Sequence, residues 1–219
     1  MELLKNIFYI NLEERTDRRK HVEEQLNLLG VSGERISACK MAKGCVGCTM
    51  SHIRCLELAK MRGYESVCIM EDDICFKEPG LFLSNLHKFH QNQSIDWDVI
   101  IVGGNVVKPY EIVNDYCIRI HNTQTTTCYI VKSHYYSTLI ENFKESVKNL
   151  MRNELNRITL NNYAIDMYWK QLQRVDKWYM ITPLTVSQLP GYSDIEKRVV
   201  NYDFLMLDLK KEWYYKQFE

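Results

Sequence analysis

The chain alternates short unbroken apolar runs with longer stretches in which apolar residues recur every three or four positions. The first run, Ile7 to Leu12, has the β-branched and aromatic content of a buried strand. Thr16-Asp17 offers a helix cap after it, and Val22, Leu26 and Leu29 predict a helix over 17–29 that Gly30 closes. Residues 35–38 fit a short second strand. Ile53, Leu56, Leu58, Ala59 and Met61 supply the apolar positions of a helix over 44–63, ended by Gly63. Ser66 to Met70 is a continuous strand that runs straight into Glu71-Asp72-Asp73. Pro79-Gly80 reads as a turn before a helix over 81–90, and Asp98 to Val102 as a buried strand closed by Gly103-Gly104. Strands are expected at 118–120 and 125–131, helices at 133–155 and 163–172, and an extended segment from Met180 to Gly191. Residues 201–219 form an aromatic amphipathic tail that reads as helical.

Strands alternating with helices predict an α/β fold with a mostly parallel central sheet covered by helices on both faces. In such sheets ligands bind beyond the carboxyl ends of the strands. At 219 residues the chain fits one domain with a C-terminal extension. Internal repeats and low-complexity segments are absent from the sequence.

Lys+Arg and Asp+Glu each number 28, so no global charge draws the chain to nucleic acid or to an anionic membrane. No apolar stretch approaches the roughly 20 residues of a transmembrane helix, and Met1 to Leu12 lacks the pattern of a signal peptide. A cytoplasmic location, with peripheral attachment to a membrane as a further possibility of the tail, follows as the expectation. The eight cysteines are expected to stay reduced, since a domain of this size needs no disulfides.

Three adjacent carboxylates repel one another unless a cation or solvent relieves them. Glu71, Asp72 and Asp73 follow an apolar strand, where α/β proteins place ligands, and a hard cation shared with phosphate oxygens would suit them. A solvated acidic turn is the plainer alternative. After the first strand come Arg15, Arg18 and Arg19, whose guanidinium forks match phosphate, or which pair locally with Asp17 at a solvated helix start. Cys39, Cys45, Cys48 and Cys55 lie close enough in sequence to close a structural zinc site, though the spacing contains a single C-x-x-C.

These pieces together resemble glycosyltransferase family 25, which includes lipopolysaccharide and lipooligosaccharide sugar transferases and collagen hydroxylysine galactosyltransferases. The resemblance is carried by Phe8-Tyr9-Ile10-Asn11-Leu12 with Arg15-Thr16-Asp17-Arg18-Arg19, by Gly47-Cys48-Thr49-Met50-Ser51-His52, and by Val67 to Asp73. Thr126 to Val131, Ile165-Asp166, Gln188 and Ser193-Asp194-Ile195 continue it in the family's order. The chain departs from the family in having Cys45 and Val46, and no acidic residue, between Gly44 and Gly47, in the unmatched segment 105–124, and in Ala164-Ile165 before Asp166.

The resemblance implies a GT-A-type, Rossmann-like fold over residues 1–200, with a nucleotide-sugar half at about 1–105, an acceptor half at about 106–200, and a tail at 201–219. It implies a metal-dependent inverting hexosyltransferase using a UDP-sugar, galactose ahead of glucose, and a glycan, lipid-linked or hydroxylysine-type acceptor. In that scheme Asp73 holds Mn²⁺ or Mg²⁺, and Asp166 is the catalytic base. Asn11, Arg15, Arg18, His52, Glu71, Asp72 and Asp194 serve the donor, His52 by touching it or by supporting the acids. The alternative is a non-catalytic nucleotide-sugar- or glycan-binding member that acts through partners. The aromatic tail is expected to pack on the domain or to form a homo-oligomer surface.

Overall fold

In the computed structural model the described residues are 2–152, 161–193 and 197–216. An eight-stranded sheet forms the centre, in the order β2-β1-β3-β8-β5-β9-β7-β6. Its strands are β1 (Ile7–Asn11), β2 (Glu34–Ser37), β3 (Ser66–Glu71), β5 (Val99–Val106), β6 (Tyr110–Ile112), β7 (Cys117–Ile120), β8 (Thr123–Lys132) and β9 (Trp178–Ile181). β2, β1 and β3 are parallel, as are β5 and β9, while β8 runs against both β3 and β5. β7 is antiparallel to β9 and to β6. Six strands therefore point one way and two, β8 and β7, the other, so the expected largely parallel α/β sheet is present with antiparallel insertions.

Both faces of the sheet are covered, which is why its strands read as unbroken apolar runs. Successive side chains alternate between faces. Phe8, Ile10, Val67, Ile69, Val99, Ile101, Tyr129 and Val131 belong to one core, beneath α2 (Gly44–Met61) and α4 (Tyr136–Leu150). Ile7, Tyr9, Cys68, Met70, Ile100, Val102, Cys128 and Ile130 belong to the other, beneath α1 (Thr16–Leu28) and α3 (Pro79–Gln91). Gly30 and Gly63 have φ of +66° and +65°, so the two predicted helix stops use the left-handed conformation open to glycine. The first turn of α2 needs a glycine for a different reason: a Cβ on Gly47 would sit 2.2 Å from the carbonyl oxygen of Cys39.

Several expectations change. Pro79 opens α3 instead of preceding it as a turn. Gly103-Gly104 does not close a strand, because β5 runs on to Val106. The expected helix over 163–172 is broken into α5 (Ile165–Tyr168) and α6 (Lys170–Gln173). Short strands β4 (Ile74–Phe76), β10 (Val186–Gln188), β11 (Gly191–Ser193) and β12 (Arg198–Val200) pair β4 with β10 and β11 with β12. Within the described residues the tail is two single turns, α7 (Asp203–Met206) and α8 (Glu212–Tyr215), because Lys211 adopts φ of +46° between them. It packs on the domain: Met206 and Lys211 are buried, Lys108 N donates to the Tyr215 hydroxyl at 2.7 Å, and Tyr110 donates to Leu209 O at 3.3 Å. Among the described residues no helix is long and apolar enough to cross a membrane.

Candidate active site

Alternation along β3 carries past its apolar residues and divides the acid run. Glu71 continues the face of Val67 and Ile69 and turns toward α2, and Asp72 turns toward α1. On the α1 side, Asn11 Nδ2 donates to Asp72 Oδ2 at 2.7 Å. Arg18 Nη1 reaches Asp72 Oδ1 at 3.2 Å and Asp73 Oδ2 at 2.9 Å, while Nη2 donates to Tyr192 O at 3.0 Å. Asn11 is itself buried and fixed by Arg35, whose Nε donates to Asn11 Oδ1 at 2.9 Å. Arg15 forms a fork with Asp17, two contacts of 3.0 Å. Thus Arg18 meets the acid cluster, whereas Arg15 makes the local pair with Asp17 that was the alternative to phosphate.

On the α2 side, Thr126 donates its hydroxyl to Glu71 Oε1 at 2.6 Å. His52, fully buried on α2, has Nε2 3.4 Å from Glu71 Oε1 and Nδ1 3.0 Å from the Tyr129 hydroxyl. A proton on Nε2 and donation from Tyr129 to Nδ1 satisfy all three groups. His52 thereby lies between the acid and Tyr129. Cys48, one turn earlier on α2, places Sγ 3.9 Å from the same Glu71 oxygen.

The link between Glu71 and Asp166 is a β-bulge that the sequence reading missed. From Gly103–Cys128 to Asn105–Gln124, β5 advances two residues and β8 four, so β8 carries two extra residues around Thr125–Thr127. Thr125 takes φ of +66°, in the left-handed region. Gly104 makes room, since a Cβ there would lie 2.9 Å from Thr123 Cγ2 and 3.0 Å from Gln124 O. The bulge aims Thr125 N at Asp166 Oδ2, 3.0 Å away, next to the Thr126 hydroxyl that holds Glu71. One strand distortion thus positions both carboxylates. The Thr125-Thr126-Thr127 run is its one trace in the sequence.

Electrostatics differ across the site. Desolvation raises the Asp73 carboxyl to about 7, with Glu71 adding to the rise and Arg18 opposing it. Desolvation likewise raises Asp72 against the pull of Asn11 and Arg18. Burial also pushes Glu71 up, but His52, Thr126 and Arg18 outweigh it and hold the acid below its ordinary value. Asp166 is raised by desolvation and by Glu71, against the Thr125 amide and Lys170. Burial pushes the Cys48 thiol well up.

Two sets of side chains offer metal ligands. Cys48, His52 and Glu71 bring ligand atoms within 4.8 Å of one another, a group that could coordinate a divalent metal. Among the described residues Cys39, Cys45, Cys48 and Cys55 do not come together as one ligand group, and Cys48 alone of them belongs to this one. Glu71 Oε2 and Asp73 Oδ1 form the oxygen-only set, both facing the Gln188 Nε2 donor at long contacts of 3.4 Å. Arg18 is shared by two acids, and Glu71 adds to the desolvation that raises Asp73, so two carboxylate oxygens here suit a hard cation such as Mn²⁺ or Mg²⁺. Asp194 lies outside the described residues.

The family described as Glycosyltransferase family 25 (LPS biosynthesis protein) matches residues 33–206 of this chain. "Inactive glycosyltransferase 25 family member 3" from Mus musculus is 36% identical over 76 residues, 33% of this chain and 12% of that protein. "Procollagen galactosyltransferase 1" from Danio rerio is 28% identical over 129 residues, 44% of this chain and 21% of that protein. The matches therefore span a small part of either relative. Among solved structures, mannose-1-phosphate geranyltransferase from Thermus thermophilus aligns with a TM-score of 0.46 at 8% identity, covering 80% of this chain and 72% of that one. That likeness is too distant to carry function.

Proposed function

This chain belongs to glycosyltransferase family 25, and from that premise we propose that it is a metal-dependent inverting hexosyltransferase. It moves galactose, or failing that glucose, from a UDP-sugar to a hydroxyl of a glycan or hydroxylysine-type acceptor. The observation that carries this assignment is the β8 bulge, which sets Glu71 and Asp166 on adjacent residues beside the Arg18-bound acids. The family's description as LPS biosynthesis proteins and the procollagen galactosyltransferase relative from Danio rerio support lipopolysaccharide-type and procollagen-type acceptors, and the latter supports galactose.

Asp73, with Glu71, would hold Mn²⁺ or Mg²⁺, which when bound neutralises charge on a departing diphosphate. Arg18 and Asn11 fix Asp72 toward the donor's ribose or sugar, and Arg15 flanks the nucleotide. His52 and Thr126 keep Glu71 ionised and oriented. Asp166 takes the proton of the acceptor hydroxyl as the acceptor oxygen bonds to the anomeric carbon. The bond from that carbon to the diphosphate oxygen breaks, and its electron pair leaves with UDP. Burial suits Asp166 to this task, since it raises the carboxylate's basicity. Asp194 is assigned to the donor by its family resemblance. Action in the cytoplasm, at a membrane surface where the acceptor is lipid-linked, completes the proposal.

A second reading is a chain that binds nucleotide-sugar without transferring it, favoured by the relative whose name calls it inactive. A panel of UDP-sugars with Mn²⁺, scored for UDP release with and without sugar acceptors, separates the two. The transferase releases UDP from one donor in an acceptor-stimulated, EDTA-sensitive manner. UDP binding without release from any donor supports the second reading.

A further inference from the structure

One carboxylate stands in both sets of metal ligands. Glu71 Oε2 shares the Gln188 amide with Asp73, while Glu71 Oε1 faces Cys48 and His52. Cys48 and His52 are four residues apart on α2, so one face of the helix brings both to the end of β3. The tight Gly47–Cys39 approach fixes the helix start that carries Cys48. The spacings are those of a small tetrahedral ion. Zn²⁺ sits about 2.3 Å from a thiolate sulfur and about 2.0–2.1 Å from an imidazole nitrogen or carboxylate oxygen. Neighbouring ligand atoms are then about 3.4 Å apart for nitrogen and oxygen, and about 3.6 Å for sulfur and oxygen. His52 Nε2 and Glu71 Oε1 are 3.4 Å apart, and Cys48 Sγ and Glu71 Oε1 3.9 Å. All three ligand atoms lie within 4.8 Å of one another, so a small rotation of the Cys48 side chain closes the set.

An ion needs no preformed cavity here. The Glu71 side chain is 23% exposed and Cys48 is half-buried, so solvent reaches these two ligands. From them the ion takes the place of the proton that His52 Nε2 directs at Glu71. Binding moves that imidazole proton to Nδ1 and releases the Cys48 thiol proton to solvent. One thiolate and one carboxylate then balance the ion's two positive charges. The surrounding groups suit the change. The Tyr129 hydroxyl, 3.0 Å from Nδ1, turns from donor to acceptor and orients the ring, and Thr126 holds Glu71. Thiolate and imidazole select a borderline-soft ion such as Zn²⁺ or Co²⁺, whereas Mg²⁺ and Mn²⁺ take oxygen ligands. An ion on Glu71 Oε1 also neutralises the carboxylate and repels a second dication on Oε2.

We propose that Cys48, His52 and Glu71 form a second metal site, selective for a borderline-soft dication such as Zn²⁺, whose filling loosens a hard cation from Glu71 and Asp73. It is thus an inhibitory site. The site itself is independent of the transferase reading, and its inhibitory effect rests on the cation assignment within that reading. Co²⁺ added to the reduced, EDTA-treated full chain reads the site, because a thiolate ligand gives cobalt a charge-transfer band in the near ultraviolet. One equivalent of Co²⁺ produces the band and one equivalent of Zn²⁺ erases it. Cys48→Ala and Cys48→Ser both lose the band, with thermal melting showing that they are folded, and Cys45→Ala keeps it. Tyr129→Phe lowers Co²⁺ affinity by about tenfold or more. Paramagnetic resonance of Mn²⁺ reads the effect: one equivalent of Zn²⁺ raises free Mn²⁺ with the wild type and not with Cys48→Ala. No band, or a band that survives both Cys48 variants, overturns the site. Zn²⁺ that displaces Mn²⁺ equally from wild type and Cys48→Ala, or from neither, overturns the inhibitory role. A Cys48-dependent band in a chain that binds no Mn²⁺ upholds the site and defeats the cation assignment. Mn²⁺-dependent transfer without a cobalt band does the reverse.

Discussion

The two sides of the Glu71–Asp73 turn hold their acids in opposite ways. On the α1 side Asp72 and Asp73 share one full positive charge, Arg18, and still titrate high, because desolvation and their neighbour Glu71 exceed what one guanidinium supplies. On the α2 side Glu71 is held by a hydroxyl and an imidazole and titrates low. The contrast teaches that proximity of an arginine does not mark a balanced site. The α1 side sets two acids against one arginine, and that deficit is where a cation gains most; on the α2 side protein donors hold Glu71 Oε1, which orients Oε2 beside Gln188 and Asp73.

The largest expected break of this contrast is Asp166→Asn. It removes the proton acceptor on the bulge side and lowers kcat by about 10³-fold, with UDP affinity unchanged. Transfer at near the wild-type rate would place the base elsewhere. Next is Arg18→Met, which leaves two mostly buried acids facing each other without a cation. Urea unfolding in the absence of divalent metal should register a loss of about 3 kcal/mol. Adding Asp73→Asn should restore part of it, and strictly additive losses would deny the coupling.

A pH series sharpens the same point. The folded Asp73 titrates near 7, above its ordinary 3.8, so its contribution is fully present below about 3.8 and is lost as pH rises through 7. Without metal, the wild type should therefore lose stability relative to Asp73→Asn over that window and run parallel to it above; parallel curves throughout would mean that Asp73 is not raised. The smallest effect is expected on the orienting side. Gly47→Ala forces α2 off the Cys39 carbonyl and costs about 1–3 kcal/mol by thermal melting. A melting temperature equal to wild type would show that the helix start yields freely.

Much of this was legible in the sequence. Strands covered on both faces leave apolar runs, and Gly30 and Gly63 mark helix ends, so the order of elements through β3 could be read directly. The acid run and Arg18 were legible as candidates, but their division was not drawn, although the period-two alternation of β3 already assigns Glu71 and Asp72 to opposite faces. The bulge left the Thr125-Thr126-Thr127 run as its trace, too little to place it. It depends on a threonine at positive φ and on a glycine pair that reads as a strand end. The tail was misread because its apolar positions fit a helix while Lys211, a good helix former, takes the left-handed conformation under tertiary contact with Val106. Three-residue strands such as β4 and β10 carry too few positions for any period to be seen.

The most direct test is calorimetric titration of UDP with Mn²⁺ into wild type, Asp73→Asn and Asp166→Asn. The charge deficit on the α1 side predicts that Asp73→Asn loses Mn²⁺-dependent UDP binding while Asp166→Asn binds as wild type does. Unchanged UDP affinity in Asp73→Asn, in the presence of Mn²⁺, would contradict it.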